Sequence, residues 1–237
     1  MIRLAKYLKP YLTMILLAIV LLFAQANFDL ALPDYLSRIV NVGIQQGGVE
    51  NAVPVAIRQR QMDKLVLFMS AEEKADVLDA YTLVDQDSPD YDRLVQDYPT
   101  LSEEPIYVLN EIGEAEIGRL NSVMGQALLA VSSIEQVMAN PAMVARMFEE
   151  MGGDFEFDPS MIPEGMDVFA LLEQMPADRL EQLTDVINQR FGALGDSMIV
   201  QAAVDPVQAE YEALGMDTDQ LQTNYILRVG GVMLLMT

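Results

Sequence analysis

The 237 residues carry 14 Lys and Arg against 36 Asp and Glu, a net charge of −22, and neither Cys nor His. A surface so acidic repels phosphate backbones, which excludes nucleic acid as a partner. Without Cys or His the chain has no disulfides, no thiol nucleophile, no imidazole acid–base catalyst and not the ligands of most zinc sites.

The charge is unevenly placed. Arg3, Lys6 and Lys9 crowd the start, whereas Ile39 to Leu227 holds 9 basic and 34 acidic residues. In "MIRLAKYLKPY" the residues Leu4, Tyr7, Leu8 and Tyr11 recur every three or four positions. That spacing predicts a short amphipathic helix lying on a membrane surface, with Pro10 at the turn into the bilayer. An apolar run follows. Tyr11 to Leu32 is 22 positions, matching the roughly 20 residues a helix needs to cross hydrocarbon.

A cleaved leader is the competing reading, because "AQA" (Ala24–Ala26) resembles a cleavage site and would leave Asn27 as the mature N-terminus. Apolar character resuming at Phe28, Leu30, Ala31 and Leu32 favours a retained span. The basic start then puts the N-terminus in the cytoplasm and the acidic middle outside. Gln25, Asn27 and Asp29 fall in the outer half of this span, where lipid contact is costly. They are expected to face other helices or an aqueous pathway, or to bond helix to helix. Pro33 removes a backbone donor and is expected to bend the helix.

From residue 47 to about 221 the pattern predicts a helical extracytoplasmic domain. "SAEEKADVLDAY" opens on Ser70 with Glu73 three residues later, a capping box, and places Ala75, Val77, Leu78 and Tyr81 on one face. "EAEIGRLNSVMGQALLAVSSIEQVMAN" sustains a helical period through Leu120, Met124, Leu128 and Val131 and ends at Asn140–Pro141. "PADRLEQLTDVINQRFGALG" and "DPVQAEYEALGMD" predict two further helices, the second from Asp205–Pro206 to Gly215. Breaks are expected at 85–90, 98–105 and 152–167, and alternating strand patterning is almost absent. The chain ends in the apolar run Val229–Thr237. Only about nine apolar residues follow Arg228, less than half a span, so the sequence is expected to stop inside a second crossing begun near 222.

No metal site is expected. Met143, Met147 and Met151 fit one face of a packed helix better than a copper site, and "DQDSPDYD" lacks the spacing of a calcium loop. "DFEFD" reads as a solvated acidic loop in preference to a weak calcium site. There is neither a G-x-S-x-G elbow nor a GxxxxGK[ST] phosphate loop, so no catalytic residue is assigned.

The stretch "YLKPY", an apolar span, then "LPDYLSRIVNVGI" (Leu32–Ile44) resembles the start of bacterial ABC exporters of the multidrug half-transporter type. "QAEYEALGMDTDQLQTNYILRVGGVMLL" (Gln208–Leu235) resembles the approach to their second membrane helix. The resemblance implies an all-α membrane protein: an elbow helix and first membrane helix over 1–46, an inserted helical domain over 47–221, and the start of a second membrane helix over 222–237. Leu32, Pro33, Asp34, Tyr35, Ile39, Val40, Asn41, Gly43 and Ile44 match a structural motif, not a catalytic one. It further implies a multi-pass protein of the bacterial cell membrane, surrounded by lipid and paired with a second half-transporter, as a homo- or heterodimer. ATP and magnesium would act in a nucleotide-binding domain that this chain lacks, so the chain alone is not expected to be an enzyme. The transported substrate is not legible. A chemoreceptor or sensor-kinase input region, a helical domain between two membrane helices, is the alternative.

Overall fold

The computed structural model describes residues 11–139, 168–176, 179–180, 184 and 194–236. It divides into two units, one made of the chain up to Gly48 together with Asp219 onward, the other of Val49–Thr218. The 28 residues 140–167 lie outside the described set. So do Met143, Met147, Met151, "DFEFD" and most of the helix expected after Pro176.

The first unit contains α1 (Leu12–Arg38) and its continuation as a π-helix over Ile39–Gln45. The 34 residues Leu12–Gln45 have a mean hydropathy of 2.1 over their most apolar window, and none of that window is buried. At 1.5 Å per residue they reach about 50 Å, against roughly 30 Å of hydrocarbon. This is a helix long and apolar enough to cross a membrane. It is not the covered core helix of its unit. The helix passes through Pro33 to Arg38 without a break. Beyond it the helix widens from Ile39 onward. Gly47 and Gly48, with φ of 56° and 84°, then turn the chain in a conformation that residues with a Cβ avoid. The last helix of the chain, here called α9 (Thr218–Met236), belongs to the same unit.

The second unit corrects the all-helical expectation. Helices predominate, but a three-stranded antiparallel sheet of order β1-β3-β2 stands among them. Its strands are β1 (Ala56–Arg58), β2 (Tyr81–Val84) and β3 (Ile106–Leu109). Ile57 pairs with Tyr107, and Thr82 with Val108. Each strand is three or four residues long, too short to display an alternation. What marks them is β-branched and aromatic content, as in "YTLV" and "IYVL".

Around the sheet come α2 (Gln59–Leu65), α3 (Ala71–Asp79), α4 (Tyr91–Asp97), α5 (Glu114–Ala139), α6 (Val168–Glu173), α7 (Asp196–Ala202) and α8 (Val204–Ala213). α3 begins with the expected capping box: Ser70 Oγ accepts the Glu73 N–H at 3.3 Å, and Glu73 Oε2 accepts the Ser70 N–H at 2.8 Å. It ends earlier than its apolar period suggests, because Tyr81 opens β2.

The core gathers along α5, whose Leu120, Met124, Ala127, Leu128 and Val131 are all buried at the predicted spacing. α2, α3, α7 and α8 pack on it. Gly125 permits the approach of α7, since a Cβ there would stand 2.7 Å from Ile199 Cγ2. Complete burial of side chains such as Ile57, Met62 and Leu128 is worth about 1.5–3 kcal/mol each.

Candidate functional site

Two constellations stand out, one in each unit. In the first, the motif that carried the family resemblance sorts into two faces. Leu32, Tyr35 and Ile39 are partly covered and Gly43 is buried, at steps of three and four residues. Pro33, Asp34 and Asn41 are exposed. α9 meets this stripe at Ile39 and Gly43. A Cβ on Gly43 would lie 2.8 Å from Ile226 Cγ1, and one on Gly48 would lie 3.1 Å from the Gln222 Cα. Gly230 faces Ile39, whose Cδ1 is 4.0 Å away. Residues 222, 226 and 230 are one helical turn apart, as are 39 and 43, so the two helices match turn for turn.

The side chain of Gln222 completes this contact. Its Nε2 donates to the Gly43 carbonyl at 2.8 Å and lies 3.4 Å from the Ile44 carbonyl. The last carbonyls of a helix have no partner within it, and here the second helix supplies one. Asn41 Nδ2 donates to Ser37 Oγ at 3.0 Å, on the open side.

Gln25, Asn27 and Asp29 are not brought into this contact; all three are exposed. Asn27 satisfies its amide within the helix by donating to the Phe23 carbonyl at 2.7 Å. Gln222, Ile226 and Gly230 escaped the sequence reading, although "QTNYILRVGG" contains them at four-residue spacing.

The second constellation is a cleft of about 700 Å³ in the domain, between β1–α2, the last turns of α5 and the start of α8. Its floor is an ion pair. Glu210, 3% exposed, accepts from the Arg58 backbone N–H (2.8 Å) and Nε (2.9 Å) through Oε1, and from Nη2 (2.7 Å) through Oε2. This fork ties α8 to β1 and holds the Arg58 guanidinium more firmly protonated than usual. The Glu210 bond outweighs the opposing effect of burial. The next residue of α8 strengthens the tie, because the Tyr211 hydroxyl accepts the Val55 N–H at 3.0 Å.

The walls of the cleft hold more charge. Lys64 Nζ reaches Glu135 Oε1 at 2.6 Å and sits 4.7 Å from the centre of the Phe169 ring. Arg60 is 64% exposed, its Nη2 3.4 Å from Glu104. Asp205 lies on the α8 side. A smaller cleft of about 330 Å³ lies beyond Arg60 and Lys64, bounded by Glu104, Phe169 and Glu173.

Two tyrosines near this framework are strongly perturbed. Burial pushes the Tyr211 hydroxyl up to about 12 against the Val55 bond, and burial likewise raises Tyr81, whose hydroxyl donates to the Pro54 carbonyl at 2.8 Å.

The "DQDSPD" turn closes on itself. Asp85 Oδ1 accepts from the Asp87 N–H at 3.0 Å and from Ser88 Oγ at 2.8 Å. Among the described residues no cluster of acidic side chains has the grouping of a metal site.

Compared with protein-family models, with curated proteins and with solved structures, the chain matches none of them.

Proposed function

We propose that this chain forms the beginning of the membrane domain of an ATP-driven ABC exporter subunit, with an acidic domain inserted between its first two membrane helices. The observation that carries this reading is the covered stripe Leu32–Tyr35–Ile39–Gly43. Of its covered residues, Ile39 and Gly43 are the ones met by Gly230, Ile226 and Gln222. A motif with that pattern serves helix pairing, which is what a transporter's first two spans require. Residues 47–221 would face outward and the basic start would sit in the cytoplasm of a bacterial cell. Exposed Gln25, Asn27 and Asp29 would meet further helices or the transport pathway. ATP and magnesium would bind a nucleotide-binding domain beyond this chain, and a second subunit would complete the pathway.

The domain's cleft favours a second reading, an extracytoplasmic sensor input, because a sensor needs a ligand site between two membrane helices. The reading frame beyond Thr237 separates them. Four further apolar spans and a GxxxxGK[ST] loop support the exporter, whereas a coiled-coil signalling module overturns it. Topology is tested separately by placing a single cysteine at exposed Glu50 in this cysteine-free chain. An impermeant maleimide should label it in intact cells. Labelling only after lysis would overturn the outward placement.

A further inference from the structure

The cleft on the Arg58–Glu210 pair holds more hydrogen-bonding capacity than its own contacts use. Arg58 spends its backbone N–H, Nε and Nη2 on Glu210, and its side chain is 18% exposed. Nη1 stays outside the pair, so a fixed and largely dehydrated guanidinium edge remains. A donor already held in place loses little freedom when it binds. Arg60, two residues on, adds a second guanidinium whose contact with Glu104 is long. Opposite them, Glu135 gives Lys64 one oxygen and keeps the other, and Asp205 stands on the first turn of α8.

Among the described residues the lining therefore holds three cations (Arg58, Arg60, Lys64) and three carboxylates (Glu135, Asp205, Glu210). This balance is unusual in a segment with 9 basic and 34 acidic residues. A simple anion would meet the repulsion of that surrounding charge, and a simple cation would find better company almost anywhere else on the domain. A molecule carrying both charges and no net charge escapes both objections.

From these groups we infer that the cleft binds a zwitterion with an ammonium and a carboxylate, the chemistry of an amino acid or of a short peptide with free ends. The carboxylate is received by Arg58 and Arg60, and the ammonium by Asp205 and Glu135. The volume lies within the range of small-molecule sites. The inference holds whether the chain serves an exporter or a sensor.

The test is titration calorimetry on the full chain in detergent micelles with L-alanine, tri-L-alanine, and the C-amidated and N-acetylated forms of each. Saturable binding of one parent compound is expected, and the two parents distinguish an amino acid from a peptide. Amidation and acetylation should each weaken it about tenfold, since each removes a charge-assisted contact. Arg60→Gln should reduce the penalty for amidation, and Asp205→Asn should reduce the penalty for acetylation. Both positions are exposed, so both variants should keep the parent's circular dichroism. Arg58 is unsuited to this test because its loss would strand buried Glu210. No saturable binding of either parent overturns the proposal. Equal binding of blocked and free forms, or sensitivity to one end alone, overturns it as well.

Discussion

In the second unit, Ile57, Met62, Leu65, Met124 and Leu128 are covered almost completely, whereas the exposed large apolar side chains of α1 run from 41% exposed at Phe28 to 78% at Leu30. Both regions use the same kinds of residue. In the domain these side chains leave water by packing on one another, along α5 and where α8 meets the short sheet. On α1 they stay largely uncovered by the described residues, in a helix long and apolar enough to cross a membrane. The polar groups differ in the same sense. The domain fastens distant parts of the chain with a buried carboxylate and two buried tyrosines. The helix pair uses glycines, one glutamine and close approach. Damage to either kind of fastening should therefore stay in its own unit.

The largest effect is expected from Glu210→Ala. Removing one partner of a buried, hydrogen-bonded pair strands the other, at a cost of about 3–5 kcal/mol. The Arg58 backbone N–H loses its acceptor too. Urea unfolding followed by tyrosine fluorescence, which no Trp obscures, should show the domain's transition move to much lower urea. A transition that stays in place would mean that the pair does not hold α8 to β1. A proximity reporter on the helix pair, an Ile39→Cys/Gly230→Cys disulfide formed under mild oxidation, should be unaffected.

Next in size is the response to alkali. Tyr211 stays protonated to about 12, while the same hydroxyl in the unfolded chain titrates near 10. Both states are protonated below about pH 10, so the contribution is complete there. Above that, the unfolded chain releases its proton first, and stability falls until the folded-state value is passed. Two units correspond to about 2–3 kcal/mol. Tyr81 shifts in the same direction and adds to the loss. Stability measured between pH 9 and 12 should fall less steeply in Tyr211→Phe than in the parent; equal slopes would remove burial of this hydroxyl as the cause.

Gly43→Ala should reverse the pattern. The added methyl would lie 2.8 Å from Ile226 Cγ1, so α9 must shift or the isoleucine must turn. Overpacking of this kind costs about 1–3 kcal/mol. The 39/230 disulfide should form more slowly, while the domain's urea transition stays where it was. A change in the domain and none in the helix pair would break the distinction between the two fastenings.

How legible each region was depends on the distance over which its contacts act. The capping box of α3 and the buried face of α5 were readable because Ser70 and Glu73, or Leu120 and Met124, are neighbours on one helix. The sheet was not, since strands of three or four residues leave no period to detect. Nor was the Arg58–Glu210 pair, whose members are 152 positions apart in a chain where any carboxylate looks like another. The motif around Gly43 was readable as a structural signature, but which of its residues pack was not read from its spacing. It gave no sign that Gln222 would cap the helix end.

The smallest effect tests the local kind of fastening alone. Ser70→Ala removes the acceptor for the Glu73 N–H at the start of α3. Such a cap is typically worth about 1 kcal/mol. Val77 on that helix is fully buried, so loosening the first turn is felt by the core and the domain's transition should shift slightly. Ser70→Asp restores an acceptor at the same place and adds a charge favourable to the helix N-terminus. It should recover most of the loss. If both variants lose stability equally, the serine acts through something other than the cap, and the most readable element of the sequence would have been read for the wrong reason.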